Sequence, residues 1–398
     1  MDINRSVFNR LYDDLDVKKS TILVGPRQVG KTYLLRKLAK KAQDLGKSVT
    51  FFDLEQPSEL AQFNKSEQEI LKLLRQAGQV IFIDEFHYLE NASKLIKALY
   101  DHGDPIKIYA SGSSALEIHK HLKESLAGRK FIYQILPCNL SEISQVIQDL
   151  PFDYICTYGG LPGTVQEESP DRKKQLLSEI LQAYILKDIK ALIREENLRA
   201  FNHLMYLLAQ SQGSLVSVDN LSNEVGMTSK TINSYLEILL LTYVNFPVYS
   251  YSRNLGNELK KSKKFYLYDL GIRNALLKNF SSLNQRQDSG TVVETFVFHE
   301  LQHYLSPETE IRFWRLKTGE EVDFLWIRNQ KPYPIEVKLN WDLNKIPQGL
   351  VAYLNRYPDT QHAFVVSQHS GQNIEFNKTI ISYLSFEDAH KIPKLTVY

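Results

Sequence analysis

Gly25-Pro26-Arg27-Gln28-Val29-Gly30-Lys31-Thr32 follows the apolar run at residues 21–24 and leads into a helical pattern carried by Leu34, Leu35 and Leu38. The eight residues fit G-x-x-x-x-G-K-[ST]. The glycines let the backbone curl so that successive N–H groups face the phosphates of a nucleotide, and the following helix adds its positive end. In such a loop Lys31 neutralises the β- and γ-phosphate oxygens, while Thr32 offers its hydroxyl to Mg2+. A glycine turn that binds nothing has no need to lie between a strand and a helix. Gly25 to Thr32 is therefore a candidate ATP site.

Ile81-Phe82-Ile83-Asp84-Glu85 supplies a matching second half. A carboxylate at the tip of a buried strand needs a partner, because desolvating it costs several kcal/mol. Asp84 is expected in the Mg2+ shell and Glu85 beside the attacking water. Ser111-Gly112-Ser113-Ser114 closes the next apolar run. A hydroxyl there can face the water or the γ-phosphate, or simply cap a helix. Arg129, in Leu126-Ala127-Gly128-Arg129, is either a surface ion pair or a residue acting on a neighbouring subunit's nucleotide.

Outward from these motifs, apolar runs at 49–54, 80–83 and 106–110 alternate with helical patterns at 67–76 and 93–100, which predicts a parallel α/β sheet. After Pro137 the pattern becomes helix upon helix, with a long one expected over 171–195. Strands return at 265–268, 312–314, 322–326, 333–337 and 363–366, most of them after a helix at 291–304. The 398 residues call for more than one core. A net charge of +2 excludes a strongly basic molecule, so any nucleic-acid contact must be local. Cys138 and Cys156 form neither a metal-ligand spacing nor a disulfide framework and fit a reduced, cytoplasmic compartment. No apolar run approaches the ~20 residues a membrane-spanning helix needs, so no membrane partner is expected.

In the middle, helices at 218–226 and 230–241 around Met227-Thr228-Ser229 make a helix-turn-helix pattern, with Lys230, Asn233 and Ser234 on the outward face. Strands at 247–252 and 265–268 are expected to form a wing, whose loop carries Lys260, Lys261, Lys263 and Lys264 for phosphate contacts. The alternative is a module that only joins proteins. Near the end, Asp323 and the Glu336-Val337-Lys338 run lie in successive strands. The two-residue period puts Glu336 and Lys338 on one face. Asp323 and Glu336 could share a divalent metal (Mg2+ or Mn2+), Lys338 could steady a water, and Glu294 on the preceding helix offers a third carboxylate. A solvent-facing strand of alternating charge is the plainer reading.

Together these residues resemble a group of bacterial and archaeal AAA-type P-loop ATPases that carry a winged helix and a restriction-endonuclease-like C-terminal domain of unknown function. Further carriers are Tyr158-Gly159-Gly160-Leu161-Pro162, Tyr268-Asp269-Leu270-Gly271 and residues 290–301. The resemblance implies an ATPase core over 1–137, a helical lid over 138–200, a winged helix-turn-helix over 201–270 and a nuclease-like domain over 271–398. It implies Ser113 as the sensor polar residue, Arg129 as a trans-acting finger in a homo-oligomer, and Glu294, Asp323, Glu336 and Lys338 as the PD-(D/E)xK set. Lys187 and Arg194 are the candidates for a second sensor in the lid. ATP, Mg2+ and DNA are the expected partners, with ATP-driven action on a protein as the alternative.

Overall fold

In a computed structural model, residues 2–89, 92–112, 128–184, 192–252 and 263–396 are described. Ser113, Ser114, Leu126, Ala127, Lys187, Lys260 and Lys261 lie outside these. The chain divides into two compact units. One comprises Met1–Cys138 with Glu237–Val244, and the other Asn139–Leu236 with Asn245–Tyr398.

The first unit is built on five parallel strands: β1 (Ser20–Val24), β2 (Val49–Asp53), β3 (Val80–Asp84), β4 (Lys107–Gly112) and β5 (Lys130–Gln134). Their order is β2-β3-β4-β1-β5. Every residue of β1, β3 and β4 is buried, as unbroken apolar runs in a sheet covered on both faces must be. The helix Lys31–Asp44 turns Leu34, Leu35 and Leu38 inward. On the core formed by Ile22, Ile81, Ile83 and Ile108 lie Ile70 and Leu74 of the helix Glu67–Gln76, with Leu95, Ile96 and Leu99 of Ala92–Asp101. Ser66 and Glu69 form a reciprocal capping box that starts the first of these helices. Strand β5 is absent from the sequence expectation. It is an edge strand, half exposed, and lacks the continuous apolar run that marks the central ones.

The second unit holds an eight-stranded sheet in the order β12-β13-β11-β10-β9-β8-β6-β7. Its strands are β6 (Asn245–Ser250), β7 (Lys264–Leu267), β8 (Thr309–Arg315), β9 (Glu321–Arg328), β10 (Lys331–Val337), β11 (His362–Ser367), β12 (Ile374–Phe376) and β13 (Thr379–Ser385). The helix Gln348–Arg356 packs Leu350, Tyr353 and Leu354 on Trp314, Val322, Leu325 and Val365. The helix Ser289–Gln302 is buried on most of its faces.

Three expectations change here. The long helix is described over Pro170–Tyr184, and residues 192–194 are not helical, so a helix does not run unbroken to Glu195. The two helices of the expected helix-turn-helix are present as Val218–Val225 and Ser229–Leu241, with the Thr228 hydroxyl accepting from the Thr231 N–H at 3.2 Å, and Lys230, Asn233 and Ser234 are exposed. The antiparallel pair expected as its wing, however, is not free: β6 also pairs with β8, making the pair one end of the C-terminal sheet. Lys264 is consequently buried inside that sheet and cannot meet a phosphate from a surface loop.

Two sequence motifs about a hundred residues apart prove to be halves of one contact. The buried Asp269 carboxylate caps the helix Leu270–Leu277 through the Ile272 N–H (3.0 Å) and accepts the Gly160 N–H at 2.8 Å. A β-carbon on Gly159 would come within 2.3 Å of the same carboxylate, and one on Gly271 within 2.2 Å of the Tyr158 carbonyl oxygen. Asp269→Ala strands these N–H groups at a cost of about 1–3 kcal/mol each. The expected outcome is a clearly lower urea midpoint for the full chain, with Asp269→Asn between the two. An unchanged midpoint for the alanine variant would count against this account.

Candidate functional site

The carboxyl ends of parallel strands are where an α/β sheet presents its loops to ligands. In the first unit β1 runs into the loop Gly25–Gly30, β3 ends at Asp84-Glu85 and β4 ends at Ser111-Gly112. Because β4 lies between β1 and β3, Ser111 falls between the phosphate loop and the two acids.

The loop's shape depends on residues with positive φ: Gly25 at +147°, Gln28 at +64° and Gly30 at +91°. A β-carbon on Gly25 would lie 2.3 Å from the Ile135 carbonyl oxygen, so only glycine passes there. Pro26 and Val29 are buried, Arg27 is half-buried and Gln28 is exposed. Lys31 is buried, and its ammonium donates to the carbonyls of Gly25 (3.0 Å) and Pro26 (2.7 Å), curled back over the loop it follows.

Asp84 is also buried. Burial raises its pKa, while hydrogen bonds from the Ser111 and Thr32 hydroxyls pull the other way. Thr32 and Asp84, expected to share Mg2+, are thus in direct contact. Both offer hard oxygen donors, the ligand type that Mg2+ takes. Glu85 follows in a left-handed conformation at φ +52°, sparsely populated for a residue with a side chain. Its carboxylate oxygen lies 3.0 Å from His87 Nδ1, and its N–H points at Ser111 Oγ at 3.4 Å.

His87 is a member of this cluster that the sequence reading did not name, and Ser111 stood in that reading only as one hydroxyl of the run Ser111-Gly112-Ser113-Ser114. The sensor role was given to Ser113, whose position is not described. Arg129 lies at the opposite end of the sheet, just before β5, whose first residue pairs with Ser20. Its guanidinium holds Asp101 at 2.7 and 3.3 Å. In this chain it is a surface ion pair, far from its own phosphate loop. Arg194, the described candidate for the lid sensor, is exposed beside Glu196 at 3.6 Å.

In the second unit the structure brings Glu294, Asp323, Glu336 and Lys338 to one region. Asp323 and Glu336 lie on neighbouring strands, since β9 and β10 pair Phe324 with Ile335. Asp323 accepts the Val337 N–H at 2.8 Å, and Lys338 holds Glu336 at 2.7 Å. A residue outside the expected set sits among them. The Lys264 ammonium, fully buried, lies 2.5 Å from Glu321, 3.1 Å from Glu294 and 4.0 Å from Asp323. Glu294 also accepts from the Tyr266 hydroxyl at 2.5 Å. Burial opposes the charge on Lys264, but the carboxylates of Glu294, Asp323 and Glu321 outweigh it and raise its pKa. Burial raises the pKa of both Glu294 and Glu336, while Lys264 beside the first and Lys338 beside the second pull the other way. One Glu336 oxygen is buried without a hydrogen-bond partner among the described residues. No group of three or more His, Cys, Asp or Glu side chains among the described residues is placed to hold a metal ion. Glu294 is engaged by Lys264 and Tyr266, Asp323 by the Val337 N–H and Glu336 by Lys338.

Among the described residues, no helix is long and apolar enough to cross a membrane. Comparison with known proteins adds the following. Residues 17–144 match the family model of an AAA domain, residues 150–283 a domain of unknown function (DUF8612), and residues 289–386 another (DUF4143). An uncharacterized protein of Mycobacterium tuberculosis is 24% identical over 337 residues, covering 84% of this chain and 73% of that one. An uncharacterized protein of Methanocaldococcus jannaschii is 24% identical over 363 residues, covering 85% and 78%. Among solved structures, the Aeropyrum pernix ORC1 protein in complex with DNA aligns at a TM-score of 0.33 with 14% identity, over 70% of this chain and 94% of that one. The residues that match the AAA domain are those that carry the phosphate loop on its parallel sheet, and those that match at the C-terminal end belong to a family model with no assigned function.

Proposed function

We propose that this chain is a Mg2+-dependent ATPase whose nucleotide cycle drives a switch acting at DNA. The observation that carries the reading is the hydrogen-bonded line Thr32–Asp84–Ser111, set between Lys31 and Glu85. In it, the loop N–H groups and Lys31 hold the phosphates, Thr32 and Asp84 hold the metal, and Glu85 takes the proton of the attacking water. Mg2+, when bound, neutralises charge developing on the phosphate oxygens. Ser111 orients both acids, and His87 steadies the Glu85 carboxylate. Arg129 would act in trans within a nucleotide-dependent homo-oligomer, exchanging Asp101 for a neighbour's phosphate.

Contact with DNA is supported by the exposed Lys230, Asn233 and Ser234 on the second helix of the helix-turn-helix, the element that enters the major groove in such motifs. In the C-terminal sheet, Asp323 and Glu336 would hold a divalent cation, with Lys338 beside them. One observation favours a second reading, in which this fold is a non-catalytic scaffold. Lys264 already compensates Glu294, Glu321 and Asp323 with a resident positive charge.

The experiment is Mg2+-dependent ATP hydrolysis with and without linear, nicked and branched DNA, following the DNA in the same samples. Stimulation by DNA is the expected result. Cleavage lost in Asp323→Ala with hydrolysis intact would make the C-terminal domain a nuclease. Intact DNA and hydrolysis indifferent to it would move the target to a protein. Hydrolysis no faster than that of a Lys31→Ala preparation would remove the ATPase itself.

A further inference from the structure

Arg5 precedes the first helix (Phe8–Asp13) and matches no motif, yet its side chain is buried. One guanidinium nitrogen donates to the Val29 carbonyl oxygen at 2.8 Å and another to that of Leu136 at 2.5 Å. Val29 is in the phosphate loop. Leu136 follows Ile135, whose N–H is bonded to Val24 (2.7 Å) and whose carbonyl oxygen faces Gly25. The fork of Arg5 thus ties the end of the loop to the chain segment that lines its start.

We propose that Arg5 is a positioning residue for phosphate binding, fixing the Val29–Gly30 peptide so that its N–H faces the nucleotide. The inference rests on the phosphate-loop reading above. In a planar trans peptide the carbonyl and the following N–H point in opposite directions. None of the described peptide bonds is cis. Holding the Val29 oxygen on the Arg5 side therefore turns the Gly30 N–H to the other side. Gly30, at φ +91°, has the freedom to let this peptide flip if nothing holds it. The planar fork of an arginine suits two carbonyls at once, whereas a lysine is a single point charge. The same N-terminal segment has a separate tether on the helix Lys31–Asp44, where Asp2 accepts from Tyr33 and from Lys37.

The test uses the full chain and compares Arg5→Met, Arg5→Lys and Asp2→Asn for KM and kcat of ATP hydrolysis, alongside thermal midpoints without nucleotide. For Arg5→Met the expected result is a KM for ATP raised about tenfold, equivalent to about 1.4 kcal/mol, with kcat within about twofold of wild type. Arg5→Lys should fall between, and carries the test if the methionine variant does not fold. Asp2→Asn loosens the same segment without touching the loop and should leave KM unchanged. Folded Arg5 variants with a wild-type KM would overturn the proposal, as would losses of kcat and thermal midpoint in step at constant KM. If wild-type protein neither binds nor hydrolyses ATP, the ATPase reading falls first, which is a different result from an unaffected Arg5 variant.

Discussion

Lys31→Ala should bring ATP turnover down about 10²- to 10³-fold, the scale of losing one preorganised charge-stabilising group, and should abolish stabilisation of the fold by ATP. In this chain the ammonium does two jobs. It donates to the Gly25 and Pro26 carbonyls, gathering the loop, and in the proposed site it would neutralise the β- and γ-phosphate oxygens. A ligand at a hundred times its dissociation constant stabilises the native state by about 2.7 kcal/mol. Thermal unfolding of wild-type protein should therefore shift upward with saturating Mg-ATP, and the variant's should not. A variant that keeps both the shift and the turnover would sink the assignment of Gly25 to Thr32.

Glu85→Gln should separate binding from hydrolysis. Glutamine keeps the size of the side chain and can still meet His87, but it cannot accept a proton from water. General-base contributions run to about 10²–10⁴-fold, so single-turnover hydrolysis should fall by that order while nucleotide affinity stays near wild type. Radiolabelled ATP retained through a desalting column measures the trapped state directly, and mass measurement of the same sample shows whether it assembles into an oligomer. Hydrolysis at the parental rate would remove Glu85 from its role and leave its left-handed backbone without a functional reason.

The first half of the site was legible in the sequence because its parts are local. Gly25 to Thr32 is a single turn and its sequel, and Asp84-Glu85 ends a run too apolar to be anything but a buried strand. What was not legible depends on topology. Ser111 meets Asp84 because β4 inserts between β1 and β3, and strand order is not written in any short window. Arg5 reaches Val29 and Leu136 across distances in sequence that no periodicity encodes. Lys264 misled for a related reason. A run of lysines reads as a solvated surface, but composition does not say which member opens a strand and turns inward. Asp323 and Glu336 do lie on neighbouring strands, yet the buried cation beside them came from a segment read as part of another module.

Lys264 also bears on how the chain finds its fold. Strand β7 is the last in its sheet, and an end strand with open backbone groups invites misalignment and pairing with other molecules. Sliding β7 by one residue against β6 would carry this ammonium to the opposite face, away from Glu294 and Glu321. Trading that pairing for an unpaired buried charge costs several kcal/mol. One lysine thereby acts as a registration mark for the edge of the sheet, rejecting the shifted and intermolecular arrangements that its apolar neighbours Phe265, Tyr266 and Leu267 would otherwise tolerate.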